Sequence, residues 1–252
     1  MNNLAMLRNI DASEQKLRSD LAAVFRMVAR LDWHEGVANH FSVALPGPGR
    51  RFLMNRKWRH FSLMTASDLL LLDADDPSVM EGPEAPDPTA WAIHGTMHRV
   101  LPNASCILHV HSPYATALSG LKDPCILPID QTTARFFNRM SIDTGYTGMA
   151  DDTDEGTRLA HMLGNNEVMM MGNHGVLVTG KSIAEAYDTL YHLERACRTL
   201  MLAYASGQEL SILSDAVAEQ TARDWESFTD SSFTHLAEVR RILDRHEPDY
   251  VN

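Results

Sequence analysis

Residues 169–197 read MMMGNHGVLVTGKSIAEAYDTLYHLERAC, and residues 106–119 read CILHVHSPYATALS. In the first stretch two apolar runs meet at Asn173-His174-Gly175, a turn signal, so two strands are expected there. Ser182 stands three residues before Glu185, the spacing of a capping box, and predicts a helix over 182–205. In the second stretch Cys106 to His111 is strand-like, and Pro113 to Leu118 resembles a helix start. Alternate side chains of a strand share a face, so His109 and His111 can reach one ion. His174, in the glycine-rich turn, offers a third imidazole. Three neutral imidazoles leave coordination positions open for water or substrate, as a catalytic metal centre requires.

Working outward, residues 12–31 predict a helix, with Leu17, Leu21, Val24 and Val28 recurring at spacings of three and four. Two short β-like runs flank Pro46-Gly47-Pro48-Gly49 and predict a hairpin with a loop longer than two residues. Thr65 to Asp68 opens a turn, and LLLLD reads as another strand. Residues 74–88 are acidic and carry four prolines, so they are expected as an exposed loop. Residues 89–101 predict a helix starting after Asp87-Pro88. There is no repeat and no convincing linker. A single domain over 1–252 is expected, with a core of about 15–205 and a C-terminal helical tail of about 206–252.

The chain has 252 residues, 44% hydrophobic and 22% charged, an ordinary globular balance. No apolar run approaches the length of a membrane span. The N-terminal stretch has no basic start followed by an apolar block and a cleavage site, which reads as cytoplasmic and unprocessed. Cys106, Cys125 and Cys197 form neither a zinc pattern nor a disulfide framework. The net charge of −11 at pH 7 argues against nucleic acid or an anionic membrane as partner, since both want a basic face. A small anionic substrate responds to local charge and stays open. Twelve histidines are many for this length.

The segment HGTMHRVLPNASCILHVHSPYATALS, followed by MMMGNHGVLVTGKSIAEAYDTLYHLERAC, resembles the class II aldolase/adducin family. The resemblance runs from about residue 15 to 205, through EGVANHFSV, Met54-Asn55 and TASDLLLLD. It implies an α/β fold, a three-layer α/β/α sandwich around a central, mostly antiparallel mixed sheet. It also implies a homotetramer. His109, His111 and His174 take the three metal-ligand positions, for one divalent ion per subunit, zinc or manganese. Sugar-phosphate aldolases of the family carry a proton-moving glutamate four residues before the position matching His94; here that position is Ala90. They hold phosphate with small residues where this chain has Asn39-His40-Phe41-Ser42 and Arg56-Lys57-Trp58.

Those departures direct the search for substrate contacts. Arg56 and Lys57 suit a carboxylate, and Trp58 can stack on a planar group. Asn55, His40, Ser42 and Gln131 complete the candidate substrate set. His94 and His98, four apart, share a helical face, and His94 is a candidate replacement for the missing proton carrier. Glu35 is a second acid–base candidate, expected to hold His40 or a backbone amide, and Tyr114 a third, donating from an adjoining subunit. The expected function is a metal-dependent carbon–carbon lyase, decarboxylase or retro-aldolase, on a small non-phosphorylated, carboxylate-bearing substrate. The alternatives are a sugar-phosphate aldolase, epimerase or dehydratase on the same metal, and a non-catalytic adducin-like scaffold.

Overall fold

Seven short strands account for the centre of the molecule: β1 (His40–Ala44), β2 (Arg51–Asn55), β3 (Leu69–Asp73), β4 (Cys106–Val110), β5 (Met140–Asp143), β6 (Val168–Met171) and β7 (Gly175–Gly180). They form one sheet in the order β3-β2-β1-β4-β7-β6-β5. Every pairing is antiparallel except β5 with β6. The computed structural model describes residues 3–146, 148 and 153–252.

Helices cover both faces, which makes the expected three layers. The two-residue period of the strands sorts their side chains between them. Phe41, Val43, Leu53, Leu108, Val110, Met170, Val176 and Val178 pack into one core. Over them lie α1 (Asn3–Arg30), whose Leu21, Val24 and Val28 are fully buried, and the long helix Ile183–Ala205. Each such side chain contributes about 1.5–3 kcal/mol by leaving water. On the other face Ile107, Met169, Met171 and Leu177 meet Ile93, Met97, Leu159 and Leu163.

The second face carries the helix that matters for the site. It starts as α-helix at Pro88–Ala90, widens to a π-helix over Trp91–Gly95 and returns to α over Thr96–Val100; the whole is α2. Asp87 caps it, accepting from Thr89 N at 2.9 Å and Ala90 N at 3.2 Å. After α3 (Pro113–Ser119) and α4 (Gln131–Ala134), α5 (Thr153–Leu163) crosses the π segment closely. A Cβ on Gly156 would stand 2.0 Å from the Ala92 carbonyl oxygen, so only glycine permits that approach. π-Helical turns occur mostly as single bulges, often at functional sites.

The long helix, α6, is capped by Ser182, whose Oγ accepts from Glu185 N at 3.2 Å, while the Glu185 carboxylate accepts from Ser182 Oγ at 2.8 Å in place of the backbone N–H of a full capping box. The tail is helical, α7 (Asp215–Ser227) and α8 (Thr229–His246), and buries Leu236, Val239, Leu243 and Tyr250 in the main core. Buried Arg26 of α1 pairs with Asp249 at 2.7 Å. Helix α1 begins earlier than the periodicity indicates, and β5 and α5 carry no clear signal in the sequence. No helix among the described residues is long and apolar enough to cross a membrane.

Candidate metal centre and cavity

Three backbone features bring the ligand set together. His109 lies within β4, on the sheet face under α2, opposite Leu177 of β7. His111 follows immediately after β4. The chain beyond it is held by buried Glu194 of α6, which accepts from Ser112 Oγ at 2.7 Å, Tyr114 N at 2.8 Å and Ala115 N at 2.9 Å. His174 rides the turn between β6 and β7, where Asn173 takes the left-handed conformation (φ 57°) that asparagine tolerates. Gly175 is obligatory here. A Cβ would sit 2.6 Å from the Val110 oxygen and 2.8 Å from His111 Cδ2. The candidate ligand atoms of the three histidines all lie within 4.8 Å of one another.

Hydrogen bonds assign the tautomers, and the tautomers test whether a cation belongs there. His109 Nδ1 lies 3.0 Å from the Val176 carbonyl oxygen and so carries the proton that it donates. His111 Nδ1 lies 2.5 Å from a Glu35 carboxylate oxygen and donates likewise. Both Nε2 atoms are then bare lone pairs, yet they face each other across 3.1 Å. Two acceptors at that distance repel unless a cation lies between them. The donor set therefore fits a divalent metal, with Glu35 and the Val176 carbonyl as the outer partners that orient ligating histidines. Burial, then the neighbouring imidazoles, lowers the His174 pKa to about 4 and holds His109 well below its ordinary value. His109 and His174 therefore stay neutral at physiological pH.

A cavity of about 270 Å³ opens beside this cluster. Its wall includes His40, Asn55, Lys57, Trp58, His109, His111 and His174 from the expected site. It also includes Asn39, Asp87 and Tyr146, which sequence reasoning did not single out. Tyr146 stands 6.0 Å from His174, ring to ring. Asn39 is left-handed (φ 74°); its Oδ1 accepts from Glu35 N at 3.1 Å and His111 N at 3.4 Å, while its buried Nδ2 has no partner. Its signal was the short polar residue just before a strand, which tolerates positive φ. Trp58 is 66% exposed at the mouth, with φ 63°, an outlier for a bulky residue.

Six of the expected residues lie outside the cavity wall. Arg56 does not line the cavity; its guanidinium pairs with Glu84 at the surface. Gln131 lines a separate depression with Leu213 and Trp225, and its carbonyl accepts from Trp225 Nε1 at 3.0 Å. Tyr114 packs under Arg198, 5.6 Å from ring centroid to guanidinium, and takes no part in this chain's cavity wall. Glu35 holds His111, not His40. His94 is fully buried and does not face the cavity. Ser42 lies behind the wall with it, between two histidines of α2.

That buried group forms an ordered chain. Antiparallel register sets His40 opposite His109, and the two rings stack at 4.8 Å. His40 Nδ1 lies 2.8 Å from His94 Nε2, His94 Nδ1 lies 2.6 Å from Ser42 Oγ, and Ser42 Oγ lies 2.7 Å from His98 Nε2. Burial lowers the His98 pKa to about 3, against a hydrogen bond that its ring gives to the backbone of Ala104. With that ring proton engaged, His98 Nε2 is an acceptor and Ser42 donates to it. Ser42 then accepts from His94 Nδ1, and His94 Nε2 accepts from His40 Nδ1. The proton order ends with a lone pair on His40 Nε2, which makes no hydrogen bond to any described residue. Ala90 lines the cavity from an apolar cluster with Phe52, Met54 and Trp91.

Residues 19–201 match the family model described as Class II Aldolase and Adducin N-terminal domain. A putative aldolase class 2 protein of Caulobacter vibrioides is 29% identical over 99% of this chain and 97% of its own length. The decarboxylase NovR of Streptomyces niveus is 29% identical over 80% of this chain and 74% of its own. Among solved structures, an aldolase II superfamily protein from Pseudomonas syringae superposes with a TM-score of 0.86 at 31% identity, covering 95% of this chain and 96% of that one.

Proposed function

The chain belongs to the class II aldolase and adducin family, and from that premise we propose that it is a zinc- or manganese-dependent carbon–carbon lyase acting on a small, non-phosphorylated carboxylate. The observation that carries this reading is the convergence of His109, His111 and His174, with two bare Nε2 atoms 3.1 Å apart on the wall of a cavity of substrate size. When bound, the ion supplies a Lewis acid next to the bond that breaks, which both decarboxylation and retro-aldol cleavage require. Of the two, a relative named as a decarboxylase favours decarboxylation.

The remaining work falls to the chain's own groups. Lys57 is the one cationic side chain among the described cavity residues, enough for a carboxylate and poor for a dianionic phosphate. Trp58 overhangs the mouth, where a flat substrate can stack. Ala90 and Ile93 keep one wall apolar and limit water around the reacting carbon. His40 Nε2 takes or returns the proton, and the His94–Ser42–His98 chain fixes that nitrogen as the acceptor.

Assembly as a homotetramer is part of the proposal. Ile212, Val217, Phe228 and Phe233 of the C-terminal region are each at least half exposed and offer apolar surface for such contacts. Sedimentation of the purified protein checks it, and a concentration-independent monomer removes it. The function itself is tested by loading the protein with zinc or manganese and assaying aromatic and aliphatic hydroxy- and keto-carboxylates for release of CO₂ or aldehyde. Efficient turnover of sugar phosphates, with none of the carboxylates, overturns the reading.

A further inference from the structure

Two loops build the outer half of the cavity. Residues 31–39 contribute Val37 and Asn39 to the wall and Glu35 to His111, while residues 56–60 contribute Lys57 and Trp58. Both loops are conformationally costly. Asp32, Gly36 and Asn39 have φ of 58°, 60° and 74°, and Trp58 has 63°. Strained turns of this kind persist only where their surroundings over-determine them. On one side the first loop is anchored by Trp33, buried against Tyr191 with ring centroids 5.7 Å apart. On the other side its neighbour His34 reaches the second loop, where His34 Nε2 lies 2.9 Å from His60 Nε2.

This pair looks like His109 with His111, two Nε2 atoms about 3 Å apart in near-perpendicular rings. Its proton order is the opposite. His60 Nδ1 accepts from Ser62 N at 3.2 Å, as the cap of the short helix Phe61–Leu63. The ring proton of neutral His60 therefore sits on Nε2 and is donated to His34 Nε2. That leaves His34 with its proton on Nδ1, which is buried without a partner. A metal at the His60 Nε2 position would need a lone pair that this tautomer does not have. The contact is a hydrogen bond between loops, and it leaves one buried donor unsatisfied.

We propose that His34 and His60 are a positioning pair: their bond clamps the two cavity loops together and thereby seats Glu35 on His111, setting metal affinity and the place of Lys57 and Trp58. The proposal rests on the metal-centre reading. A carboxylate that orients a ligating histidine is worth roughly tenfold to a hundredfold in metal affinity, so a clamp acting through Glu35 has a defined reach. It touches neither metal nor substrate, and its effect must vanish when Glu35 is removed.

The test is cobalt(II) titration of the metal-free protein, read by the visible absorption of the bound ion, with thermal unfolding in parallel. Native protein is expected to bind one equivalent. His60→Ala and His34→Ala are expected to weaken binding by roughly tenfold and to shift the absorption bands, with little change in unfolding temperature. His60→Gln, whose amide keeps a donor near the place of Nε2, is expected to restore binding to within about twofold. Adding His60→Ala to Glu35→Gln is expected to cost nothing further, because coupled residues are not additive. Full additivity of the two, or unchanged cobalt binding in both histidine variants, overturns the clamp while leaving the metal reading intact. Failure of the native protein to bind cobalt overturns both.

Discussion

His109 and His111 point Nε2 at Nε2 across 3.1 Å, and neither nitrogen has a proton to offer the other. Their protons are spent on the opposite side of each ring, on the Val176 carbonyl and the Glu35 carboxylate. Replacing His109, His111 or His174 by Ala should therefore abolish stoichiometric metal in the purified protein, measured by elemental analysis. The fold should persist, because these rings serve the cluster more than the core. A variant that keeps its full metal content would remove that histidine from the centre.

The buried chain behind His40 makes a separate claim. His94→Gln should leave metal content unchanged and lower kcat by roughly a hundredfold or more, the usual worth of a positioned acid or base. Equal activity in the variant and the native enzyme would sink the relay and return the proton to a bound water or to Tyr146.

Lys57 and Arg56 stand next to each other, but only Lys57 lines the cavity. A charge-assisted contact to a carboxylate is worth about 1.5–3 kcal/mol. Lys57→Ala should thus raise KM by roughly tenfold to a hundredfold. Arg56→Ala, which only releases Glu84, should change KM by less than about twofold, because an exposed ion pair contributes little. Steady-state kinetics of the two variants decides, and the opposite ranking would refute the assignment.

His98 makes stability depend on pH in a definite direction. Its pKa falls from an ordinary 6.5 to about 3 in the folded chain, so between those values the unfolded chain holds a proton that the folded chain refuses. Stability is full above pH 6.5 and is lost progressively as pH falls toward about 3. His98→Gln should flatten that dependence relative to the native protein, since the carboxylates common to both cancel. Urea midpoints between pH 7 and 4 measure it; parallel curves for the two proteins would rule the effect out.

Local signals carried the part of the site that lies in contiguous sequence. The alternation of His109 and His111, the turn around His174 and the cap at Ser182 each need only a few neighbouring residues. What stayed illegible depends on register and helix shape. Nothing near His40 tells that it pairs with His109, since antiparallel register is a long-range property. Nothing in IHGTMH tells that a π turn sinks His94 beneath the wall. The basic run around Trp58 gave three cations, Arg56, Lys57 and Arg59, and no means of telling which one turns inward. Glu35 and Asn39 act through a loop of left-handed residues whose closure on His111 no periodicity encodes.

The proton order from His98 to His40 has a consequence for how this chain can diverge. His40, Ser42, His94 and His98 satisfy one another in series, so a change at one strands its neighbours. Ser42→Ala alone would leave a buried donor on His94 and a buried acceptor on His98, at about 1–3 kcal/mol each. Exchanging all four for apolar residues of matching shape removes every unmet partner at once and can be nearly neutral for folding. Viable descendants should therefore inherit the four positions as a block or abandon them as a block. Intermediate forms would be both unstable and impaired, a valley that separates two lineages built on the same sheet.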